Sequence, residues 1–240
     1  MDKFVDRIDA GRQLGVRLSE REPDDTLVVA GLPRGGVVVA YEVARVLKVP
    51  LDVIIVRKVG VPSQPEFAMG ALAEGGVEDV ERDVVNSLYI TDEEYSHAVE
   101  LERAELERRV TRYRERCRAL DFTGRTVVVV DDGIATGATA RAGVASARAR
   151  GAARIVFATP VSSASGAREL SRVVDEFIAL MTPHGSFSVG TYYERFEQTS
   201  DREVLGYLAR AHRWSSDASS RTAPPRGEGE HSLLRHHRSP

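Results

Sequence analysis

The sequence predicts an α/β protein built on a doubly wound, mainly parallel five-stranded sheet with helices on both faces. Three observations carry that expectation. Five short apolar runs rich in β-branched residues are spaced along the chain. They are continuous rather than alternating in polarity, as strands covered on both faces are. Stretches of helical composition separate several of them, and strand–helix–strand alternation leads to parallel pairing.

The expected strands are "TLVVAGL" (26–32), "LDVIIVRK" (51–58), "TVVVVD" (126–131), "RIVFATP" (154–160) and "VDEFIAL" (174–180). The segment "GVVVAYEVARVLK" reads as a helix, as does "ATARAGVASARARG", where Gly151 stands at the place of a C-cap. From 92 to 120 runs a long, highly charged helix inserted after the second strand, with Val99, Leu106, Tyr113 and Leu120 recurring every seventh residue beside Val110 and Cys117. Such a stripe suits either a homodimer seam or the underside of a helix lying on its own domain. The small number of heptads favours the second. The domain is expected to cover 1–213, with a flexible loop and helix inserted at 59–120 and a small hood region at about 181–203. Residues 214–240, rich in Ser, Pro, Gly and Arg, are expected to be disordered, and their His231, His236 and His237 have no scaffold to fix a metal.

Bulk properties exclude several classes. A length of 240 residues suits one α/β domain with appendages, and a formal charge of -3 from well-mixed acids and bases argues against a nucleic-acid-coating surface. The single cysteine, Cys117, cannot form an intramolecular disulfide. There is no signal-peptide core and no apolar run of membrane-spanning length, so a soluble, cytoplasmic protein is expected.

The informative stretch is "VVVVDDGIATGAT" (127–139). An open parallel sheet binds ligands at the carboxyl ends of its strands. The helix that follows this strand starts near 136–139, where unpaired N–H groups and the helix dipole favour an anion. Gly133 and Gly137 let the backbone wrap a phosphate, and the hydroxyls of Thr136 and Thr139 can donate to it. One acid there could be a plain N-cap. Two adjacent acids, Asp131 and Asp132, would repel a phosphate unless they held something else, such as the hydroxyls of a ribose whose phosphate sits in the loop. The phosphate motifs G-x-x-x-x-G-K-[ST] and G-x-G-x-x-G are absent, as is the D-x-D spacing of aspartyl phosphatases.

With a hydrophobic strand, two acids, a short spacer and T-G-x-T, the stretch resembles the phosphoribosyl pyrophosphate (PRPP) signature of type I phosphoribosyltransferases. The resemblance covers roughly 26–202. It implies that Asp131 and Asp132 hold the ribose hydroxyls, while Gly133 and the run Ala135, Thr136, Gly137, Ala138, Thr139 cradle the 5′-phosphate. The turn "GLPRGG" after the first strand resembles the family's pyrophosphate loop as found in xanthine and guanine salvage enzymes, with Pro33 departing from the commoner Ser or Lys. Arg34 offers a planar fork to phosphate oxygens and Gly35 and Gly36 let backbone amides approach them. Arg57 and Lys58 end the second strand at the same edge and could neutralise leaving pyrophosphate. The stretch 60–76 resembles the loop that closes over the site. Phe187, Tyr192, Tyr193 and Phe196 could stack on a base in the hood, although aromatics are more often core. No residue is an obvious general base; His184 is a candidate, although a lone histidine in "PHGS" is more often structural.

The resemblance therefore implies transfer of the 5-phosphoribosyl group from PRPP to an acceptor, most naturally a purine base, with release of pyrophosphate. Asp131, Asp132, Arg34 and Lys58 would carry it. Mg²⁺ would be borne mainly by the phosphates, with Asp131 or Asp132 touching it through water, because this ion keeps its waters and takes few protein carboxylates. The partners expected are PRPP and a nucleobase or other small acceptor, with no membrane and no nucleic acid. The alternative is a PRPP- or nucleotide-sensing regulator of the same fold without transferase activity; the sequence shows no added basic helix-turn-helix segment that would favour it.

Overall fold

The computed structural model describes residues 3–115, 117–185 and 187–221. Helix α1 (Arg7–Ser19) leads to β1 (Val28–Gly31), α2 (Gly35–Leu47), β2 (Leu51–Val53), β3 (Val56–Val61), β4 (Gln64–Ala73) and β5 (Val77–Val80). Helices α3 (Arg82–Ser87) and α4 (Asp92–Arg114) come next, then β6 (Thr126–Val130), α5 (Ala138–Ala149), β7 (Arg154–Val161), α6 (Ala164–Leu170) and β8 (Glu176–Met181). A 3₁₀ turn (Val189–Tyr192) precedes α7 (Asp201–Arg221).

Five strands form one sheet in the order β2–β1–β6–β7–β8, every neighbouring pair parallel. Successive side chains of a strand point to opposite faces, so the continuous apolar runs feed two cores. On one face Val29, Val128, Val130 and Val156 pack with Leu14 and Leu18 of α1, Val39 and Val43 of α2, and Val204 and Leu208 of α7. On the other, Val28, Val127, Val129, Ile155 and Phe157 pack with Val144 and Ala147 of α5 and Leu170 of α6. The doubly wound class is thus realised as expected.

The second expected strand divides. β2 ends at Val53 on the edge of the main sheet, and β3 leaves to found a separate antiparallel sheet in the order β3–β4–β5. The stretch 60–76, expected as a loop, is therefore mostly strand. Some of its Pro and Gly residues mark turns, with Pro62 and Ser63 joining β3 to β4 and Gly75 and Gly76, both at positive φ, turning β4 into β5, while Gly60, Pro65 and Gly70 lie within the strands. The burial of Val59, Val61, Met69 and Leu72 in the first core gives these strands a side to pack against.

Helix α4 opens with a capping box in which Thr91 and Glu94 satisfy each other's backbone donors. It ends at Arg114, short of the expected 120. Val99, Leu106 and Tyr113 are buried with Cys117 in the molecule's own core, so the stripe of sevens is an internal face and not a dimer seam. At the other end of the chain, α7 carries the backbone to Arg221, beyond the boundary expected at 213. A helix anchored by a packed face extends at the gain of one hydrogen bond per residue. Residues 222–240, with the three tail histidines, lie outside the described residues. Among the described residues, no helix is long and apolar enough to cross a membrane.

One buried ion cluster locks the two sheets together. Arg114 reaches Asp52 at 2.6 Å and Glu74 at 2.6 Å, and Arg150 reaches the same two carboxylates at 2.6 and 2.9 Å. Asp52 is wholly inaccessible to solvent and also accepts from the Leu120 amide. Arg150 lies over the Phe122 ring at 3.7 Å. The cluster joins β2, the β4–β5 turn, the end of α4 and the end of α5. Burial raises the Glu74 carboxyl above its ordinary range despite the arginines that pull it down, and burial pushes the Cys117 thiol up to about 11. Removing one partner of a buried charge network strands the others, so Asp52→Asn should lower unfolding free energy by about 3 kcal/mol. The exposed Arg17–Glu20 pair, both side chains more than half exposed, should contribute less than about 0.5 kcal/mol when Arg17 becomes Ala. Urea unfolding of both variants checks this; equal midpoints would refute the role given to the cluster.

Candidate active site

Parallel pairing of β1 with β6 places the loops that follow them side by side: Val28 to Gly31 align with Val127 to Val130, and the Leu32 amide donates to the Val130 carbonyl at 2.9 Å. The 33–36 turn and the 131–139 loop therefore emerge at one edge of the sheet. Their contact is close enough to require glycine. A Cβ on Gly36 would lie 2.8 Å from the Val130 carbonyl oxygen and 2.9 Å from the Asp131 Cα, and one on Gly35 would run into the Asp132 carboxylate.

Both helices that start at this edge begin without a side-chain cap. α2 opens after Arg34 and α5 after Gly137, the latter at φ 87°. By contrast α1, α4 and α6 are capped by Asp6, Thr91 and Ser163. The first amides of α2 and α5 are thus left for an external acceptor. The 131–139 loop is held from behind, with the Ile134 amide donating to Val161, the Ser163 amide to Ile134 and the Ser163 hydroxyl to the Ala135 carbonyl. Ala135 and Thr136 are exposed, Gly137 and Ala138 buried, and Gly133 lies under Val189 of the hood. Thr139 Oγ1 is buried without a hydrogen-bond partner among the described residues. A buried hydroxyl is satisfied in nearly all structures, and an anion in this loop would satisfy it here.

The two acids are held differently. Asp132 pairs with Arg7 of α1 at 2.7 Å, and its carbonyl accepts from the Tyr193 hydroxyl at 2.5 Å. Asp131 accepts from the Asp132 amide at 2.9 Å. Burial first, and the neighbouring Asp132 charge second, hold the Asp131 carboxyl well above the usual carboxylate range, with Lys58 pulling it down. Burial likewise pushes the Tyr193 hydroxyl upward.

The cations separate. The Arg34 side chain makes no hydrogen bond or ion pair with another described residue, and the peptide bond between Pro33 and Arg34 is cis. Lys58 is exposed beside a cleft of about 730 Å³ that Pro33, Thr139, His97 and Leu101 also line. Arg57, next to it on β3 and so directed to the other side, is engaged with Glu102 of α4 at 2.7 Å. Of the two cations expected to meet pyrophosphate from this strand, only Lys58 has no ion partner among the described residues. A larger hollow, about 1030 Å³, lies at the amino ends of the strands near Asp24, Thr126 and Glu176, away from these loops.

The aromatic candidates are also sorted. Tyr192 and Tyr193 are buried in a third small core with Phe4 and Val161, so their rings are packing surfaces and not open platforms. Phe196 has one face covered by the Arg7 guanidinium at 3.8 Å. Phe187 is half-buried and stacks on Tyr192. His184 is exposed. Sequence reasoning missed Arg7: nothing in "FVDRIDAG" marks it, and its partner lies 125 residues away.

Two helix starts without a side-chain cap and a pair of acids thus stand together at the carboxyl edge of a parallel α/β sheet. The chain belongs to the phosphoribosyl transferase domain family, which it matches over residues 7–194. It is 48% identical over 221 residues, 92% of its length, to a protein named "Putative phosphoribosyl transferase" in two strains of Mycobacterium tuberculosis. The match takes up 49% of that protein, so the chain spans about half the length of the curated relatives it matches. The crystal structure of TT1426 from Thermus thermophilus superposes with a TM-score of 0.73 at 39% identity, covering 87% of this chain and 98% of that one.

The state of Asp131 has a measurable consequence. A carboxyl raised in the folded state favours folding below its unfolded value of 3.8, and that contribution is lost as pH rises through the folded value. Asp131→Asn should therefore melt at a higher temperature than the parent at pH 7. The gap should shrink as pH falls toward 4; a gap that is constant with pH would contradict the burial of an ionisable Asp131.

Proposed function

We propose that this chain transfers the 5-phosphoribosyl group of PRPP to a nucleobase nitrogen, with a purine as acceptor, in a cytoplasmic salvage-type reaction that releases pyrophosphate. The observation that supports this best is the packing of Gly35 and Gly36 directly against Asp131 and Asp132. It brings an anion turn, a carboxylate pair and a second anion loop within the span of one phosphorylated sugar.

In this reading the amides of 135–139 and the orphaned Thr139 hydroxyl hold the 5′-phosphate. Asp131 and Asp132 accept from the ribose hydroxyls. Arg34, Lys58 and the first amides of α2 face the pyrophosphate. The bond from C1 to the pyrophosphate oxygen breaks as the bond from C1 to the acceptor nitrogen forms, and the proton on that nitrogen passes to the released pyrophosphate or to solvent. The transition state gathers negative charge on the leaving group, where unpaired cations fixed in advance are most effective. The purine acceptor rests on the likeness of the 33–36 turn to the xanthine and guanine enzymes.

Two adjacent acids, Asp131 and Asp132, stand beside the loop read here as the 5′-phosphate site. That donor set fits Mg²⁺ carried by the phosphates and touched by Asp131 or Asp132 through water. When bound, the ion would offset charge on the departing pyrophosphate.

Pyrophosphate release from PRPP and Mg²⁺ across a panel of purine and pyrimidine bases tests the proposal. Turnover is expected with a purine, and the Asp131→Asn/Asp132→Asn double variant should lose at least about a hundredfold. Thr139→Val should weaken PRPP binding about tenfold. PRPP binding without turnover on any base would replace the transferase reading with a sensor.

A further inference from the structure

We propose that Arg7 is the positioning residue of the ribose pocket: it sets the Asp132 carboxylate for hydroxyl recognition and couples that setting to the hood. This rests on the reading of Asp132 as a ribose ligand. The guanidinium is committed in three directions. Nε donates to Asp132 Oδ2 at 2.7 Å, Nη1 donates to the Glu197 carbonyl at 2.7 Å, and the planar face covers Phe196 at 3.8 Å. Only 12% of the Arg7 side chain is exposed. Its Nε would also lie only 2.6 Å from a Cβ on Gly35, so it stands where the 33–36 turn, the two acids and the hood meet.

Two physical demands explain a cation here. Asp131 and Asp132 are adjacent and oppose each other's charge; without a fixed counter-ion the Asp132 carboxylate would swing away from its neighbour. A planar fork holds the carboxylate and the Glu197 carbonyl in fixed directions while its face lies on Phe196, a geometry that a rotatable ammonium does not fix. The base of the fork is itself rigid. Asp6, the cap of α1, pairs with Arg195 at 2.8 Å, and the chain on either side is stitched to the hood by Phe4 to Tyr192 and by Glu194 and Arg195 to Phe4 and Val5. Little freedom remains to be lost when a sugar binds.

The effect belongs to the hydroxyls and not to the phosphates, which separates positioning from general support of the fold. Calorimetric titrations of ribose 5-phosphate, 2-deoxyribose 5-phosphate and pyrophosphate into the parent, Arg7→Gln, Arg7→Lys and Asp132→Asn proteins test it, with thermal melting alongside. The parent should prefer the ribose form by about tenfold. Arg7→Gln should bring that ratio close to one with pyrophosphate affinity within about twofold, and Arg7→Lys should restore only part of it. Should Arg7→Gln fail to fold, Arg7→Lys decides alone: a reduced ratio supports the proposal and an intact one overturns it. An unchanged ratio in Arg7→Gln beside a collapsed one in Asp132→Asn overturns the role of Arg7 and leaves the ribose site standing. Equal loss of all three ligands in Arg7→Gln overturns it in favour of a structural role. A parent that binds none of them removes the ribose reading itself, and the proposal with it.

Discussion

The constraint on which the site depends is the parallel pairing of β1 with β6. It fixes two loops, nearly a hundred residues apart in sequence, at adjacent positions on one sheet edge. The pairing is stabilised by the sheet's burial on both faces, since Val28, Val29, Val127, Val128, Val129 and Val130 are almost wholly inaccessible. A one-step slip of register would exchange the faces of every one of these side chains. It would also separate Gly36 from Asp131, so the hydrophobic pattern that gives the fold also sets the geometry of the polar site.

Around that centre the chain satisfies opposing electrostatic demands with different devices. The buried cluster of Asp52, Glu74, Arg114 and Arg150 is closed: each charge has partners, and its effect is to hold α4 and the second sheet in place. The site at the loop edge is open. Arg34 and Lys58 have no ion partner among the described residues, Thr139 has an unmet hydroxyl, and Asp131 sits where its charge is disfavoured. Unmet polar groups and unfavourable charges of this kind lower stability and are retained where a ligand completes them.

What the sequence revealed and what it hid follow from the range of the interactions involved. The Asp131–Thr139 loop was legible because strand, acids and helix start are contiguous, and the physics of strand ends and helix amides is local. Arg34, Gly35 and Gly36 were legible for the same reason. Arg57 faces away from Lys58 because the two are neighbours on β3, and Glu102, on a helix far along the chain, holds the guanidinium there; neither the departure of β3 from the main sheet nor that partner is marked locally. Tyr192 and Tyr193 were offered as platforms, yet a neighbouring core claimed them, and ring burial depends on packing that no short window contains. The 60–76 stretch reads as loop because Pro and Gly stand not only at its turns but also inside its strands, at Gly60, Pro65 and Gly70, where pairing between β3, β4 and β5 overrides their usual meaning.

The way the hood closes has a consequence for how the protein comes into being. Residues 4 and 5 pair with residues 192–195, and the contact from Arg7 to Glu197 spans 190 positions. Such a separation gives that contact a high order, late in assembly and costly in chain entropy. During synthesis from the amino end, α1, the 33–36 turn and Asp132 are all present before residues 196 and 197 emerge, so Arg7 can meet Asp132 before it gains Phe196 and Glu197. Only the completed domain closes all three contacts of the Arg7 guanidinium, so its final setting is among the last features the chain acquires.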